Sequence, residues 1–176
     1  AAVRDPMMTS WCIGKQRASE LENLARLGIA DCREYFNAGV MLIDLKSWRA
    51  QYTTDFFFQK AASREWLWLD QDILNQVFYH HALYLDQTWN FMTCTEDKHR
   101  ALLFEQLGYP YQQKSKPKII HYAGHTIPCY RPRVINGRYF WRYACRSPFF
   151  GIIFMHLCQH LLHKISKINT RAPKKA

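Results

Sequence analysis

Apolar residues at helical spacing alternate along this chain with short apolar runs, and the alternation predicts its secondary structure. Residues 18–28 carry leucines at helical spacing and end in Gly28, so they predict a helix with a glycine stop. Residues 40–43 form a short apolar run that is typical of a buried strand.

The middle of the chain continues this pattern. Residues 46–62 place aromatic side chains four positions apart, and residues 72–81 pair apolar residues at i and i+4, so both predict helices. Residues 82–86 and 118–124 look like further short strands. Strands that alternate with helices predict an α/β layered domain with a largely parallel sheet.

The pattern changes toward the C-terminus. Residues 131–150 are rich in aromatic residues and arginine, and residues 152–168 have the spacing of an amphipathic helix. We therefore predict two parts: an α/β domain over residues 1–128, and an aromatic and basic region with an amphipathic helix over residues 129–176.

Composition and charge narrow the class of protein. The 176 residues are 48% hydrophobic, which is enough for one ordinary domain with a core. The six cysteines are scattered without a CxxC pair, a usage typical of reduced thiols in a cytoplasmic protein. Residues 1–105 hold 11 Lys+Arg and 14 Asp+Glu, whereas residues 106–176 hold 13 Lys+Arg and no acidic residue. This asymmetry predicts that the C-terminal part meets an anionic surface.

Three polar residues interrupt an apolar stretch at residues 66–75 and are the first candidates for chemistry. Asp70, Gln71 and Asp72 stand at the start of a predicted helix, where an aspartate can simply cap the helix by accepting backbone N–H bonds. Helix capping would explain Asp72 alone, and it leaves Asp70 and Gln71 unexplained. Carboxylate and amide groups at such a turn of an α/β sheet also suit a polyhydroxyl ligand, because both groups bind hydroxyls.

Two further motifs have both a structural and a functional interpretation. Asn37, Ala38 and Gly39 lead into a predicted strand, either as a strand entry with a glycine bulge or as a place where a ligand approaches the backbone. His121 ends an apolar run, and Gly124 follows it in a loop whose N–H groups could meet a phosphate. A single histidine at a strand end is more often a structural hydrogen-bonding group than a metal ligand.

Four motifs in a fixed order point to a family. The chain closely resembles glycosyltransferase family 8, in particular its bacterial enzymes that add hexoses to the lipopolysaccharide core, in "YFNAGVMLIDLKSWR", "LDQDILNQVF", "LYLDQTWNF" and "IIHYAGH". The resemblance covers residues 1–128. A looser match in "GRYFWRYACRSPFF" looks like the small C-terminal region of the lipopolysaccharide branch.

The resemblance implies a fold and an activity. The fold is of the GT-A type, an α/β nucleotide-binding fold, here truncated at its N-terminus and extended by a basic helical C-terminal region. The activity is retaining hexosyl transfer from UDP-glucose or UDP-galactose to a lipopolysaccharide core acceptor. The resemblance also implies a cytoplasmic protein, peripheral to the inner membrane, with Mn²⁺ or Mg²⁺ as cofactor.

The family's motifs also imply roles for single residues. By this resemblance Asp70 meets hydroxyls of the donor sugar, and Gln71 lies beside the anomeric carbon, where an amide can stabilise positive charge without being a strong nucleophile. Asn37 and Ala38 match residues that line the same sugar. The polar residues of the apolar stretch would then form the floor of a sugar site.

The cation and diphosphate part of the motif is less complete. His121 matches a manganese ligand and Gly124 matches a glycine whose backbone meets the diphosphate. The family's metal site also needs an Asp-x-Asp motif that would lie upstream of this sequence, so we expect an incomplete metal site and a fragment that is inactive alone. Ile127 and Cys129 replace a usual lysine and tryptophan, and His125 is a candidate to compensate for the lost cation.

The C-terminal region predicts an interfacial helix. Its apolar residues would enter the headgroup boundary of an anionic membrane, and each basic residue near that surface would contribute about 1 kcal/mol. An alternative is a zinc site, because three histidines follow one another at i, i+4 and i+7. The residues concerned are Phe149, Phe150, Ile152, Ile153, Lys164, Lys167, Arg171, Lys174 and Lys175 for the membrane, and His156, His160 and His163 for zinc.

A second function class remains open at this point. Five arginines interleave with aromatic residues over residues 130–146, a pattern that can bind single-stranded nucleic acid by charge and stacking. No signature of a known nucleic-acid-binding fold accompanies it. We therefore expect no nucleic-acid partner, and the alternative to an enzyme is a non-catalytic basic module that binds a membrane or nucleic acid.

Overall fold

The computed structural model describes residues 1–93, 100–108 and 116–171. The chain forms two compact units, Ala1–His121 and Tyr122–Ala176. In chain order, the strands and α-helices of the described residues are β1 (Ala2–Arg4), α1 (Pro6–Thr9), α2 (Ala18–Leu27), β2 (Phe36–Met41), α3 (Leu45–Gln51), α4 (Thr54–Ala62), α5 (Asp70–Phe78), β3 (Phe91–Met92), α6 (Arg100–Leu107), β4 (Ile120–His121), α7 (Gly137–Ala144) and α8 (Phe150–Arg171).

Shorter turns of other helix types join these elements. A π-helix extends α1, and three 3₁₀-helices precede β2, β3 and α7. Their bounds are Ser10–Gly14 for the π-helix and Cys32–Glu34, Gln87–Asn90 and Gly124–Thr126 for the 3₁₀-helices.

The predicted leucine-rich helix is confirmed as α2. Gly28 ends it in the left-handed conformation with a φ of 75°, which a glycine adopts without steric cost. Leu24 and Leu27 are buried in a core cluster with Met8 and Tyr35, whereas the third leucine of the repeat faces outward. The core of the first unit therefore lies between α1, α2 and the segment that leads into β2.

The β2 strand differs from its predicted form. The apolar run at residues 40–43 is not buried, because Leu42 is 70% and Ile43 is 38% exposed. Burial falls instead at the other end of the strand, on Phe36 and Asn37, since this end pairs with β1 and is hydrogen-bonded to α5. The apolar run overlaps β2 only at residues 40 and 41, and the pattern assigned the buried end of the strand wrongly.

The strand pairing is mixed rather than largely parallel. β1 pairs with β2 in antiparallel fashion, β3 pairs with β4 in parallel, and Tyr84 makes a single parallel bridge to Ala2. The predicted strand at residues 82–86 is thus reduced to one bridge. The β1–β2 register jumps from Met41 to Asn37, so the intervening residues bulge out of the ladder.

The long predicted helix at residues 46–62 is in fact two helices. The Thr53 hydroxyl accepts the N–H of Phe56 at 3.1 Å, so it caps a new helix, α4, after α3 has ended. The break lets Phe57 stack on Trp48 with ring centroids 4.9 Å apart. Side-chain capping and aromatic packing, which a spacing pattern does not contain, divide the helix.

The second unit consists of α7, α8 and the 3₁₀-helix before them. The Tyr122 hydroxyl donates to the backbone oxygen of Asn136 at 2.7 Å, and its ring meets Phe140 edge-on. The predicted C-terminal helix is confirmed by α8, in which Ile152 and Met155 are 54% and 50% exposed. Among the described residues, no helix combines the length and apolar character needed to cross a membrane.

Candidate functional site

Gln71 lies at the centre of a hydrogen-bonded cluster in the first unit. Its Oε1 accepts the side-chain N–H of Asn37 and the backbone N–H of Ala38, each at 3.0 Å. Its Nε2 donates to Asp5 Oδ2 at 3.1 Å, and Asn37 Nδ2 donates to the same oxygen at 3.0 Å. Three of the residues predicted to face one sugar are therefore in direct contact, and Asp5 joins them.

The bulge in β2 makes the hydrogen bond between Ala38 and Gln71 possible. Ala38 and Gly39 lie outside the β1–β2 ladder, so their N–H groups need other acceptors. Ala38 bonds to Gln71 as described, and Gly39 donates to Asn37 Oδ1 at 3.0 Å. The interpretation as a glycine bulge is confirmed, and the approach of a ligand to this backbone stays a prediction.

Asp72 anchors the helix that carries Gln71. It is completely buried, and its carboxylate accepts from the Tyr35 hydroxyl at 2.7 Å and from the Trp68 N–H at 2.9 Å. Both of its oxygens also accept from Asn23. Burial, together with the charge of Asp72, raises the pKa of Tyr35, so its hydroxyl stays a donor. Asp72 thus accepts one backbone N–H just before α5, but it does not cap the helix as expected, since α5 has no side-chain cap hydrogen bond.

Asn75 fixes α5 against β2. Its Oδ1 accepts the Phe36 N–H at 2.7 Å and its Nδ2 donates to the Phe36 oxygen at 2.8 Å. The same Nδ2 donates to the Gln71 backbone oxygen at 2.9 Å. This pairing replaces a neighbouring strand at that point of β2. It therefore sets the position of Gln71 relative to the bulge.

Asp70 has a different environment from its neighbours. Its side chain is exposed, and among the described residues it has no recorded hydrogen bond or ion pair. It follows Leu69, whose φ of 50° is unusual for a leucine. Such strained positions cluster at functional sites and cost of order 1–3 kcal/mol. The exposed Asp70 carboxylate therefore lies at the start of α5, one residue before Gln71, where solvent can reach it.

His121 joins the cluster through an asparagine that the sequence analysis did not assign. Asn90 is completely buried; its Nδ2 donates to Asn37 Oδ1 at 2.9 Å, and its Oδ1 lies 3.0 Å from His121 Nδ1. Burial lowers the pKa of His121, and the charge of Asp5 opposes part of that change. The imidazole is therefore predominantly neutral at pH 7, as a metal ligand must be.

Metal-ligand groups are sparse around this histidine. Within the described residues, no group of three or more His, Cys, Asp or Glu side chains could hold a metal ion. This holds for the histidines of α8 as well, so the alternative of a zinc site there has no support in the described residues. His121 alone fits one ligand position of a divalent cation.

The predicted diphosphate residues lie in the second unit. Gly124 starts a 3₁₀-helix with a φ of 56°, a conformation that strains other residues. Ile127 accepts the N–H groups of Tyr130 and Arg131 through its backbone oxygen, so it ends this turn. The His125 side chain lies outside the described residues.

Asp5 and Asn90 are the residues that sequence reasoning missed. The pair Asp5–Pro6 is a helix-start signal, and Asp5 Oδ1 indeed accepts from Met7 and Met8 at the start of α1. Its second oxygen serves the cluster, which no local pattern reveals. Asn90 was part of a quoted motif, but its partners lie 31 and 53 residues away.

A cavity of about 380 Å³ lies elsewhere in the first unit. Its wall includes Met41, Trp48 and Phe78, together with the exposed Leu42 and Leu83. It contains neither Gln71 nor His121. The polar cluster, and not this cavity, contains Gln71 and His121, and their chemical roles stay predictions.

Comparison with known proteins places the chain in a family. The sequence profile described as "Glycosyl transferase family 8" matches residues 1–128. General stress protein A of Bacillus subtilis (strain 168) is 32% identical over 117 residues, which are 63% of this chain and 41% of that protein. Lipopolysaccharide 1,2-glucosyltransferase of Escherichia coli is 34% identical over 101 residues, 53% of this chain and 28% of that protein. The chain belongs to glycosyltransferase family 8.

A solved structure shows the same fold. The bifunctional glycosyltransferase WbbM, in its apo form, superposes with a TM-score of 0.70 over 88% of this chain and 29% of its own, at 24% identity. The predicted α/β fold of the GT-A type is confirmed. The matched segment spans less than half the length of these relatives.

Proposed function

We propose that this chain carries the donor-sugar part of a retaining hexosyltransferase that moves glucose or galactose from a UDP-sugar to a lipopolysaccharide core acceptor. The family membership and the name of the E. coli relative support the reaction class and the acceptor. The observation that carries the proposal is the Gln71 cluster, in which the Asn37 amide and the Ala38 N–H both donate to Gln71 Oε1, with the exposed Asp70 next in sequence.

The cluster suits a sugar that is losing its leaving group. Gln71 is held at three points, so little reorganisation is needed when charge develops at the anomeric carbon. Its amide is neutral and weakly nucleophilic, which favours stabilising that charge over forming a covalent bond. Asp70 accepts hydrogen bonds from sugar hydroxyls, and the second Nε2 hydrogen of Gln71 remains for another ligand oxygen.

The leaving diphosphate needs positive charge around it. We propose that His121 Nε2 supplies one ligand to Mn²⁺ or Mg²⁺, which would neutralise the departing UDP. Gly124 would let a backbone N–H approach the diphosphate, because no described atom lies within 4 Å of the position that a Cβ would take there. Since no group of three or more His, Cys, Asp or Glu side chains among the described residues could hold a metal ion, we expect residues 1–176 alone to bind Mn²⁺ weakly and to show little turnover.

We also propose that the protein acts in the cytoplasm, attached peripherally to the inner membrane. Support comes from the second unit, where exposed apolar side chains of α8 occur in a segment without any acidic residue. A lipid-linked saccharide acceptor would lie at that surface. Binding of this kind is sensitive to anionic lipid, which separates it from simple apolar adsorption.

A turnover assay tests the proposed reaction. The protein expressed from the complete reading frame that contains this chain is supplied with Mn²⁺, UDP-glucose or UDP-galactose, and core oligosaccharide. We expect UDP release and an α-linked product, because retention preserves the anomeric configuration of the donor. A β-linked product, or no transfer from either donor, would contradict the proposal. Salt-dependent RNA binding without donor binding would favour the non-catalytic module instead.

A further inference from the structure

A continuous line of hydrogen bonds runs from Asp5 to His121. Asn37 Nδ2 donates to Asp5 Oδ2 at 3.0 Å, Asn90 Nδ2 donates to Asn37 Oδ1 at 2.9 Å, and Asn90 Oδ1 is 3.0 Å from His121 Nδ1. Asp5, Asn37 and Asn90 are all buried. Because a buried amide must satisfy its polar atoms within the protein, each of these contacts constrains the next.

Asp5 and Gly39, the two groups beside Asn37 whose roles are fixed, set the direction of every bond in the line. The Asp5 carboxylate can only accept, and the Gly39 N–H can only donate, so Asn37 must turn its Nδ2 toward Asp5 and its Oδ1 toward Gly39. Asn37 Oδ1 then requires a donor from Asn90, which leaves Asn90 Oδ1 facing the imidazole. An amide oxygen accepts only, so His121 Nδ1 must carry the proton.

Packing holds the ring in the same place. A Cβ added at Gly39 would lie 2.4 Å from His121 Cε1 and 3.0 Å from Asn37 Oδ1. The glycine is therefore required by the close approach of the imidazole and not by its backbone angle. The ring cannot turn toward β2 without meeting the backbone of Gly39.

We infer that Asn90 is a positioning residue that holds His121 as the Nδ1–H tautomer and leaves its Nε2 lone pair free for a divalent cation. Metal-bound histidines commonly donate their second ring N–H to such an acceptor, which fixes ring orientation and raises ligand basicity. What the cation does rests on the proposed function. The tautomer does not rest on it, since it follows from the hydrogen bonds alone.

The same line of hydrogen bonds connects the Gln71 amide with the His121 imidazole. Asn37 Nδ2 lies within hydrogen-bond distance of both Asp5 Oδ2 and Gln71 Oε1. The amide proposed for the anomeric carbon and the imidazole proposed for the cation thus share one rigid support. A change at Asn90 should disturb the cation ligand first and Gln71 second.

Nitrogen NMR of the histidine ring tests the inference in residues 1–176 without any sugar. Long-range ¹H–¹⁵N spectra distinguish the tautomers, and the His121→Gln spectrum identifies the His121 signals. We expect a protonated Nδ1 and an unprotonated Nε2 in the native chain at pH 8. In Asn90→Ala the ring should change to the Nε2–H form that free histidine prefers, or to a mixture. Gln76→Ala, on α5 outside the cluster, should leave the spectrum unchanged.

Two further variants keep the test decisive if Asn90→Ala fails to fold. Asn90→Asp retains an acceptor for Nδ1 and should keep the Nδ1–H tautomer. Gly39→Ala keeps Asn90 but displaces the ring, so it should lose the tautomer preference. Adding Mn²⁺ alone should broaden the His121 signals, and at least tenfold more Mn²⁺ should be needed for equal broadening in Asn90→Ala.

The outcomes separate this inference from the proposed function. An Nε2–H ring in the native chain, or an unchanged Nδ1–H ring in both Asn90→Ala and Gly39→Ala, would overturn the inference. A confirmed tautomer that depends on Asn90, in a protein that transfers no hexose, would leave the inference standing and reject the proposed reaction.

Discussion

The two compact units of this protein differ in which groups they bury and which they expose. The first unit buries Asp5, Asp72, Asn75 and Asn90, and binds each of them with hydrogen bonds between distant parts of the chain. The second unit lies in a stretch without acidic residues and exposes the apolar side chains of α8. Fixed, fully bonded polar groups suit the geometry of a reaction, whereas a basic surface with exposed apolar groups suits attachment.

The largest effect should come from removing a buried polar group of the first unit. Replacing Asp72 by alanine leaves Asn23, Tyr35 and the Trp68 N–H without their acceptor in a buried place. We expect a loss of about 3–5 kcal/mol in the free energy of unfolding, measured by urea denaturation. A loss below about 1 kcal/mol would show that water replaces the carboxylate and that the site is less enclosed.

The second unit should respond to charge rather than to loss of packing. Ile152→Glu with Met155→Glu places carboxylates on an exposed face of α8 and should lower binding to anionic vesicles at least tenfold in flotation. The control pair is Leu42→Glu with Leu83→Glu, which changes apolar residues of the first unit that are 70% and 75% exposed. Equal losses in both pairs, or equal binding to neutral vesicles, would contradict a membrane role specific to α8.

Asp70 should show the reverse of the behaviour of Asp72. Because Asp70 is exposed and unbonded within the described residues, Asp70→Ala should change the free energy of unfolding by no more than about 0.5 kcal/mol. In the protein from the complete reading frame, it should raise the KM for the donor sugar by about tenfold or more, as expected for losing a charged hydrogen bond. Asp55→Ala, at the exposed start of α4, is the matched control and should change neither quantity. An unchanged KM in Asp70→Ala would remove Asp70 from the site.

The smallest effect should be on stability at acidic pH, through the turn Gln87–Asn90. The Thr88 hydroxyl and N–H lower the pKa of Asp86 below its ordinary value of 3.8, and Asp86 thereby caps the turn Gln87–Asn90. A lowered folded-state pKa contributes stability that is present above about pH 4 and is lost as the pH falls through the folded value.

Asp86→Asn keeps a good helix cap but cannot titrate. Between pH 5 and pH 3 the native chain should therefore lose more stability than this variant, by less than about 1 kcal/mol. Urea midpoints at the two pH values measure the difference. Identical losses in both proteins would mean that Asp86 does not hold the turn in its ionised form.

Local patterns explain which parts of the fold the sequence could predict. Spacing and a glycine stop located α2, and the same kind of pattern located α5 and α8, since these signals depend on residues a few positions apart. The division at Thr53 and the exposed end of β2 depend on a cap and on partners distant in sequence. No spacing pattern contains that information.

The residues of the candidate site likewise fall into those that the sequence could predict and those that it could not. Motif resemblance selected Asn37, Gln71 and His121, and the structure brings them into one cluster. Their roles toward a sugar and a cation stay predictions. Asp5 lies 66 residues from Gln71 in the chain and Asn90 lies 31 residues from His121, so only the folded structure reveals that they support the site.

The central claim is that the Gln71 cluster is where hexose is transferred. The most direct measurement is the kcat for UDP-hexose turnover in the protein from the complete reading frame, compared between Gln71→Ala and Gln76→Ala, which lie on the same helix. We expect a fall of about 100-fold or more for Gln71→Ala, with unfolding behaviour preserved, and a change within about twofold for Gln76→Ala. Equal rates in the two variants would contradict it.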